Sequence, residues 1–182
     1  CAGIISKEMG LPIDHFVAST NINDTIPEFL KSGSYTPKKS IQTISNAMDV
    51  GDPSNFIRIQ RIFNNDFFKL KKVLSGFGYN DKLTEKAMKE IFKINGYIAD
   101  PHGAIGFLGL KEYMATQKDE EAYQGIFLET AHPIKFKKTV ENILKTKIEI
   151  PTRLEGILNL KKTSSPLSKY SELKSLLLSR NK

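Results

Sequence analysis

Gly10-Leu11-Pro12-Ile13-Asp14-His15-Phe16-Val17-Ala18-Ser19-Thr20-Asn21-Ile22-Asn23-Asp24 is the stretch that decides the fold class. Gly10 and Pro12 stop a helix predicted over residues 2–10, whose apolar Ile4, Ile5 and Met9 share one side. The short apolar run from His15 to Ser19 then reads as a buried strand, ended by the polar residues from Thr20 onward. Helix followed by apolar strand is the order of a parallel α/β sheet. The first helix enters without a cap, and the chain starts on Cys1 rather than methionine. The loop that feeds this helix is therefore expected upstream, in a longer protein.

Toward the C-terminus, Asp24 or Thr25 caps a short helix ending near Gly33, and residues 35–55 are dense in turn formers and small polar side chains. Helices are predicted over 56–63, 65–75 and 83–94, the last opened by Thr84 with Ala87, Met88, Ile91 and Phe92 on one face. Gly76 to Asp81 reads as a turn-rich loop. Gly96-Tyr97-Ile98-Ala99 and Gly125-Ile126-Phe127-Leu128-Glu129 are predicted strands, the second the clearest in the chain. Between them Ala104 to Met114 is a packed helix, and Phe136, Val140, Ile143 and Leu144 mark an amphipathic one after them. The tail carries an apolar run from Leu154 to Leu160 and a last helix with Leu173, Leu176, Leu177 and Leu178. The pattern is α/β, with parallel-type strands flanked by helices. It has too few strands for a self-sufficient doubly wound sheet, so the rest are expected upstream.

Composition narrows the function classes. The 182 residues are 40% hydrophobic and 26% charged, with 12 Gly and 8 Pro, which is globular rather than disordered or collagenous. One cysteine builds neither an intramolecular disulfide nor a Cys-rich zinc cluster, and points to the reducing cytoplasm. No stretch reaches the ~20 apolar residues of a membrane span, so no membrane partner is expected. The net charge of +7 comes mostly from scattered lysines, with four arginines and no nucleic-acid-binding motif, so no nucleic-acid partner is expected either. His15, His102 and His132 lack the i,i+4 pairing or Cys partners of a zinc site, and no metal is expected. Walker, G-x-S-x-G and G-x-G-x-x-G motifs are absent; Gly76-Phe77-Gly78 fails the last because no strand precedes it.

The three apolar strands end in compact polar signatures: Thr20-Asn21-Ile22-Asn23-Asp24, Asp100-Pro101-His102-Gly103 and Thr130-Ala131-His132-Pro133. Ligands of open α/β sheets sit outside the carboxyl ends of the strands, so three such exits on one sheet would converge on one site. Each also has a plain structural meaning. Asp100 followed by Pro101 is an N-cap with proline at the first helical position, Thr130 or His132 before Pro133 offers the same device, and Asn21, Asn23 and Asp24 are turn formers.

Taken together with Gly10-Leu11-Pro12-Ile13, Tyr35-Thr36-Pro37 and the block Ser45-Asn46-Ala47-Met48-Asp49-Val50-Gly51-Asp52-Pro53-Ser54-Asn55-Phe56, these motifs resemble the C-terminal part of the threonine synthases. That family consists of pyridoxal-phosphate enzymes of fold type II. The resemblance runs from the first residue to about Lys138, with the Ser45–Phe56 block its most specific element. It implies that residues 1–147 are the C-terminal part of a large cofactor-binding domain, with 148–182 a helical tail packed on it. It further implies conversion of O-phospho-L-homoserine and water to L-threonine and phosphate, a small-molecule substrate, and pyridoxal 5'-phosphate as cofactor. The Schiff-base lysine and the glycine-rich phosphate loop of the family lie in its N-terminal portion. The upstream part of the same chain is therefore the expected partner, and the 182 residues alone are expected to be inactive.

Residue by residue, the resemblance matches Thr130 to the Ser or Thr hydroxyl that hydrogen-bonds the pyridine nitrogen. Ser45, Asn46 and Asp49 are expected to line the substrate cleft, with Asp100 and His102 beside them, and His132 to orient the loop that carries Thr130. Two alternatives stay open: a related phospholyase acting on another phosphorylated amino acid, and a non-catalytic binding module. The oligomeric state is not legible.

Overall fold

The computed structural model describes residues 1–46, 49–118, 123–158 and 160–179. Ala47 and Met48 of the Ser45–Phe56 block lie outside the described residues, as does Asn159 of the Leu154–Leu160 run. Strand β1 (Phe16–Thr20) follows helix α1 (Ala2–Glu8), in the order the sequence indicated. Its partner is β2 (Leu74–Gly78), in parallel and in a register that sets Phe16 against Leu74 and Thr20 against Gly78. The ladder continues past the strands, where the Tyr79 amide donates to the Thr20 carbonyl.

β2 corrects two expectations. The helix predicted over 65–75 is α4 (Phe67–Val73) and ends when Leu74 turns extended; the loop predicted from Gly76 begins inside the strand. Glycine is depleted in strands, which hid this one. The reason for it is a close approach. A methyl group on Gly76 would stand 2.9 Å from both Leu30 Cδ1 and Pro27 Cα, so glycine lets α2 (Thr25–Ser32) press directly on the sheet.

The predicted strands at 96–99 and 125–129 pair with no strand among the described residues, and Gly96 takes the left-handed conformation that ends the preceding helix. Alternation along the second is real: Phe127 and Glu129 turn inward while Ile126 and Leu128 are 83% and 74% exposed. Alternation gives a segment two faces, but a strand also needs a neighbouring backbone. β1 is thus the one strand among the three exits.

Two apolar clusters form the core, one of them against the sheet. Phe29 and Leu30 of α2, Phe56 of α3 (Phe56–Ile62), Leu70 of α4 and Leu74 of β2 pack on one side. The second cluster joins α5 (Asp81–Asn95), α6 (Pro101–Met114) and α7 (Lys137–Leu144) through Ala87, Met88, Ile91, Ala104, Phe136 and Val140. Each fully buried Val, Leu, Ile, Phe or Met among them contributes about 1.5–3 kcal/mol. α5 shows why the pattern yields a helix. The Asn80 side chain accepts from the Leu83 amide, Thr84, Ala87, Met88 and Ile91 repeat at helical spacing, and Gly96 ends it at φ 66°, where a side chain is disfavoured.

The orientation of α6 matters most for function. A methyl on Gly109 would overlap Ser19 Oγ and sit 3.2 Å from Val17 Cγ1, so the helix lies directly on β1. At its C-terminal end Tyr113 stacks on His15, ring centroids 4.4 Å apart. α6 therefore runs antiparallel to β1. Its N-terminus stands about 13 Å beyond the level of Ser19, at 1.5 Å per residue, on the carboxyl-end side of the sheet.

Residues Cys1–Ile148 form one compact unit and Glu149–Lys182 a second. The second holds α8 (Thr152–Leu158) and α9 (Tyr170–Ser179), and α9 buries none of its residues.

Candidate active site

Two polar groups stand at the carboxyl end of the sheet. The first is built on the exit of β1. Asn21 leaves Thr20 with its side chain buried, and its amide nitrogen donates to Thr43 Oγ1 (3.1 Å), Ser45 Oγ (2.9 Å) and Asp49 Oδ1 (2.8 Å). Two N–H protons thus serve three acceptors. Asn21 Oδ1 accepts from the backbone and side-chain nitrogens of Asn23, both at 2.9 Å. Asn23 in turn grips Ile41 at both ends: Nδ2 donates to the Ile41 carbonyl (2.9 Å), and Oδ1 accepts from the Ile41 amide (2.8 Å).

Asp49 closes the network. Its Oδ1 accepts from the Thr43 hydroxyl at 2.7 Å and its Oδ2 from the Thr43 amide at 2.9 Å. Thr43 and Ser45 hydroxyls stand 2.8 Å apart. The loop is also tied down at its edges, where Asp81 accepts from the Ile44 amide and the Thr25 hydroxyl donates to the Gly51 carbonyl at 2.7 Å. Of the residues expected in a cleft, Ser45 is 1% exposed and bound on all sides, Asp49 is half-buried, and Asn46 is exposed. The Asn46 carbonyl accepts from the Asp49 amide at 3.4 Å.

The second group lies at the N-terminus of α6. Asp100 is wholly buried, and its Oδ1 caps the helix by accepting from the amides of His102 (2.7 Å) and Gly103 (2.9 Å). Pro101 takes the first helical position, as the Asp-Pro pair indicated. The Asp100 amide donates to Glu129 Oε1 at 2.9 Å, which joins the 100–103 exit to the 129–132 exit. His102 Nδ1 is 3.7 Å from Asp100 Oδ1, and its ring meets Phe136 edge-on at 5.1 Å.

This second group is not internally satisfied. Asp100 Oδ2, Glu129 Oε2 and both ring nitrogens of His102 are buried without a hydrogen-bond partner among the described residues. Burial by itself raises the Asp100 carboxyl, but the His102 ring 3.7 Å away and the hydrogen bonds from the Gly103 and His102 amides outweigh it and hold the group below the usual aspartate range. Glu129 goes the other way: burial pushes its carboxyl up, with the neighbouring Asp100 adding to the rise.

Thr130 follows Glu129 and is exposed. Ala131 packs against the second apolar cluster, so Thr130 sits between two inward-facing neighbours. His132 accepts through Nδ1 from the Ile134 amide at 3.2 Å and so caps the short 3-10 turn Pro133–Phe136. No hydrogen bond links the two polar groups among the described residues. The structure joins Asn21, Ser45 and Asp49 in one and Asp100, His102 and Thr130's own segment in the other. Asn21, Thr43 and Glu129 were missed as site residues. Asn21 passed for a turn former, while the inward alternation of Phe127, Glu129 and Ala131 was the available signal for Glu129.

The model for the family described as "Threonine synthase, C-terminal" matches residues 103–176. The chain is 45% identical over 180 residues to the threonine synthase of Buchnera aphidicola subsp. Acyrthosiphon pisum, covering 98% of this chain and 40% of that protein. The crystal structure of threonine synthase from Escherichia coli superposes with a TM-score of 0.86 at 36% identity, over 98% of this chain and 40% of that one. The PLP-bound threonine synthase from Brucella melitensis shares the fold, with a TM-score of 0.78 at 24% identity over 97% of this chain and 42% of its own. The chain thus spans about 40% of the length of the curated relatives it matches. Sequence and fold agree across nearly every residue, and the family model agrees across residues 103–176: the chain is similar throughout to the C-terminal portion of the threonine synthases.

Proposed function

We propose that these residues form the C-terminal part of a cytoplasmic threonine synthase, which converts O-phospho-L-homoserine and water to L-threonine and phosphate with pyridoxal 5'-phosphate. One observation carries this reading beyond the similarity. Two polar groups stand at the carboxyl end of the parallel sheet, where α/β folds bind ligands, and one of them holds four buried atoms still in need of partners.

The residues fit the cofactor at Thr130. Its hydroxyl is exposed, has no partner among the described residues, and is fixed between inward neighbours, as a group offered to a ring nitrogen must be. When bound, the cofactor supplies an electron sink for carbanionic charge on the substrate. Thr130 would hold the pyridine nitrogen with a neutral hydroxyl, which does not force a proton onto the ring as a carboxylate would. Asp100 and His102 would present their unpartnered atoms toward groups supplied by the upstream portion of the chain or by the substrate. Ser45 and Asp49 act at one remove, by fixing the loop that exposes Asn46 at the rim.

The test is phosphate release from O-phospho-L-homoserine by the upstream-extended protein with pyridoxal 5'-phosphate, beside the 182-residue chain. Release by the long form alone is the expected result. Release by neither overturns the proposal.

A further inference from the structure

Gly103 and Glu129 occupy a single volume between them. A methyl group on Gly103 would overlap Glu129 Oε2 and stand 2.8 Å from Oε1. The Glu129 carboxyl therefore sits in the space that a side chain at position 103 would take, on the first turn of α6. From that seat Oε1 accepts from the Asp100 amide, the residue that caps the same helix. A buried carboxyl leaning on another carboxylate is a costly way to fill space. Its effect is to tie the 123–131 segment to α6 one residue before Thr130, while Ala131 ties it to the apolar cluster one residue after.

We propose that Gly103 and Glu129 are a matched pair whose task is to position Thr130. Glu129 is a positioning residue, acting through the backbone it shares with its neighbour. Glu129 and Ala131 are both drawn inward while Thr130 between them is exposed, so anchoring the backbone on either side fixes where residue 130 presents its hydroxyl. The pairing is steric as well as polar. A larger residue at 103 expels the carboxyl, and a smaller one at 129 vacates the niche. This inference rests on the reading of Thr130 as the cofactor-facing hydroxyl.

The test uses the upstream-extended enzyme and reads pyridoxal 5'-phosphate affinity by fluorescence titration together with the visible absorption band of the bound cofactor. Gly103→Ala is expected to weaken affinity about ten-fold and to move the band in the direction that Thr130→Ala moves it. The double variant Gly103→Ala/Glu129→Ala is expected to bind more tightly than Gly103→Ala alone, because the expelled carboxyl is gone. Thr130→Ser is expected to keep the wild-type band. Should Gly103→Ala fail to fold, Glu129→Gln and Glu129→Asp decide the matter. Glutamine keeps both the length and the acceptor and should retain the affinity, whereas aspartate is too short to reach the Asp100 amide and should lose it. Equal effects of Gly103→Ala with and without Glu129, or of glutamine and aspartate at 129, overturn the matched pair while leaving Thr130's role intact. A Thr130→Ala variant with unchanged affinity and band overturns that role, and the pair's purpose with it.

Discussion

Asn21, Asn23, Thr43, Ser45 and Asp49 satisfy one another, whereas Asp100, His102 and Glu129, at the same end of the sheet, leave four buried atoms without partners among the described residues. Both groups contain a carboxylate, and both lie on the side where the fold binds ligands. The difference is in what each still needs. A closed network rigidifies a loop and has no spare valence for chemistry, while an open one is a high-cost arrangement that keeps its atoms for groups yet to arrive. Unsatisfied burial is thus the better guide to where a ligand or a further piece of protein would dock.

The comparison breaks most visibly at Asn21. Replacing it by leucine orphans acceptors on Thr43, Ser45 and Asp49 and the amide of Asn23, so a loss of about 3 kcal/mol or more is expected. Urea denaturation of the upstream-extended protein measures it. An unchanged midpoint would show that the network is dispensable. His102→Phe tests the other group. It keeps the edge-on contact with Phe136 and deletes two nitrogens that make no hydrogen bond, one of them 3.7 Å from Asp100 Oδ1, so stability should fall by about 1 kcal/mol, well short of Asn21→Leu, while phosphate release falls about ten-fold. Destabilisation equal to that of Asn21→Leu, or full activity, would erase the distinction between the groups.

The smallest expected effect is on pH dependence, and its sign differs for the two carboxyls. Asp100 sits below the usual range, so its contribution is present above the unfolded value of 3.8 and is lost as pH falls through the lowered native value. Glu129 sits above its unfolded value of 4.5, so the native state binds the proton more tightly and stability declines as pH rises from there through the raised native value. Glu129→Gln keeps the acceptor for the Asp100 amide and cannot ionise. Its stability relative to wild type should therefore grow with pH across that second window, with the acid limb from Asp100 intact. Denaturation curves collected at a series of pH values would reveal a constant difference instead if Glu129 were not shifted.

Much of the local structure was legible because its causes are local. The Asp100-Pro101 cap, the stop at Gly33 and the apolar face of α5 depend on residues within a turn or two of one another. β2 was not legible, because a short Gly-rich strand is defined by the neighbour it pairs with, and Phe16 is 58 positions from Leu74. The segment 125–129 fails in reverse: it has a strand's alternation and no ladder among the described residues. The site divides the same way. Thr130, Ser45, Asp49, Asp100 and His102 stand in motifs that can be read along the chain, but Asn21 reaches Ser45 across 24 residues and Asp100 reaches Glu129 across 29.

By itself, then, the sequence determined the α/β class, most of the helices, the Asp100 cap, the polar exits and the threonine synthase resemblance, since propensity, capping and motif are properties of short windows. Tertiary structure alone decided which strand pairs with β1, that α6 runs antiparallel to it and lifts Asp100 to the ligand side, and that Glu129 fills the place left by Gly103. Each of these turns on which backbone or side chain is excluded from a given volume, and volume is contested between residues far apart in the chain.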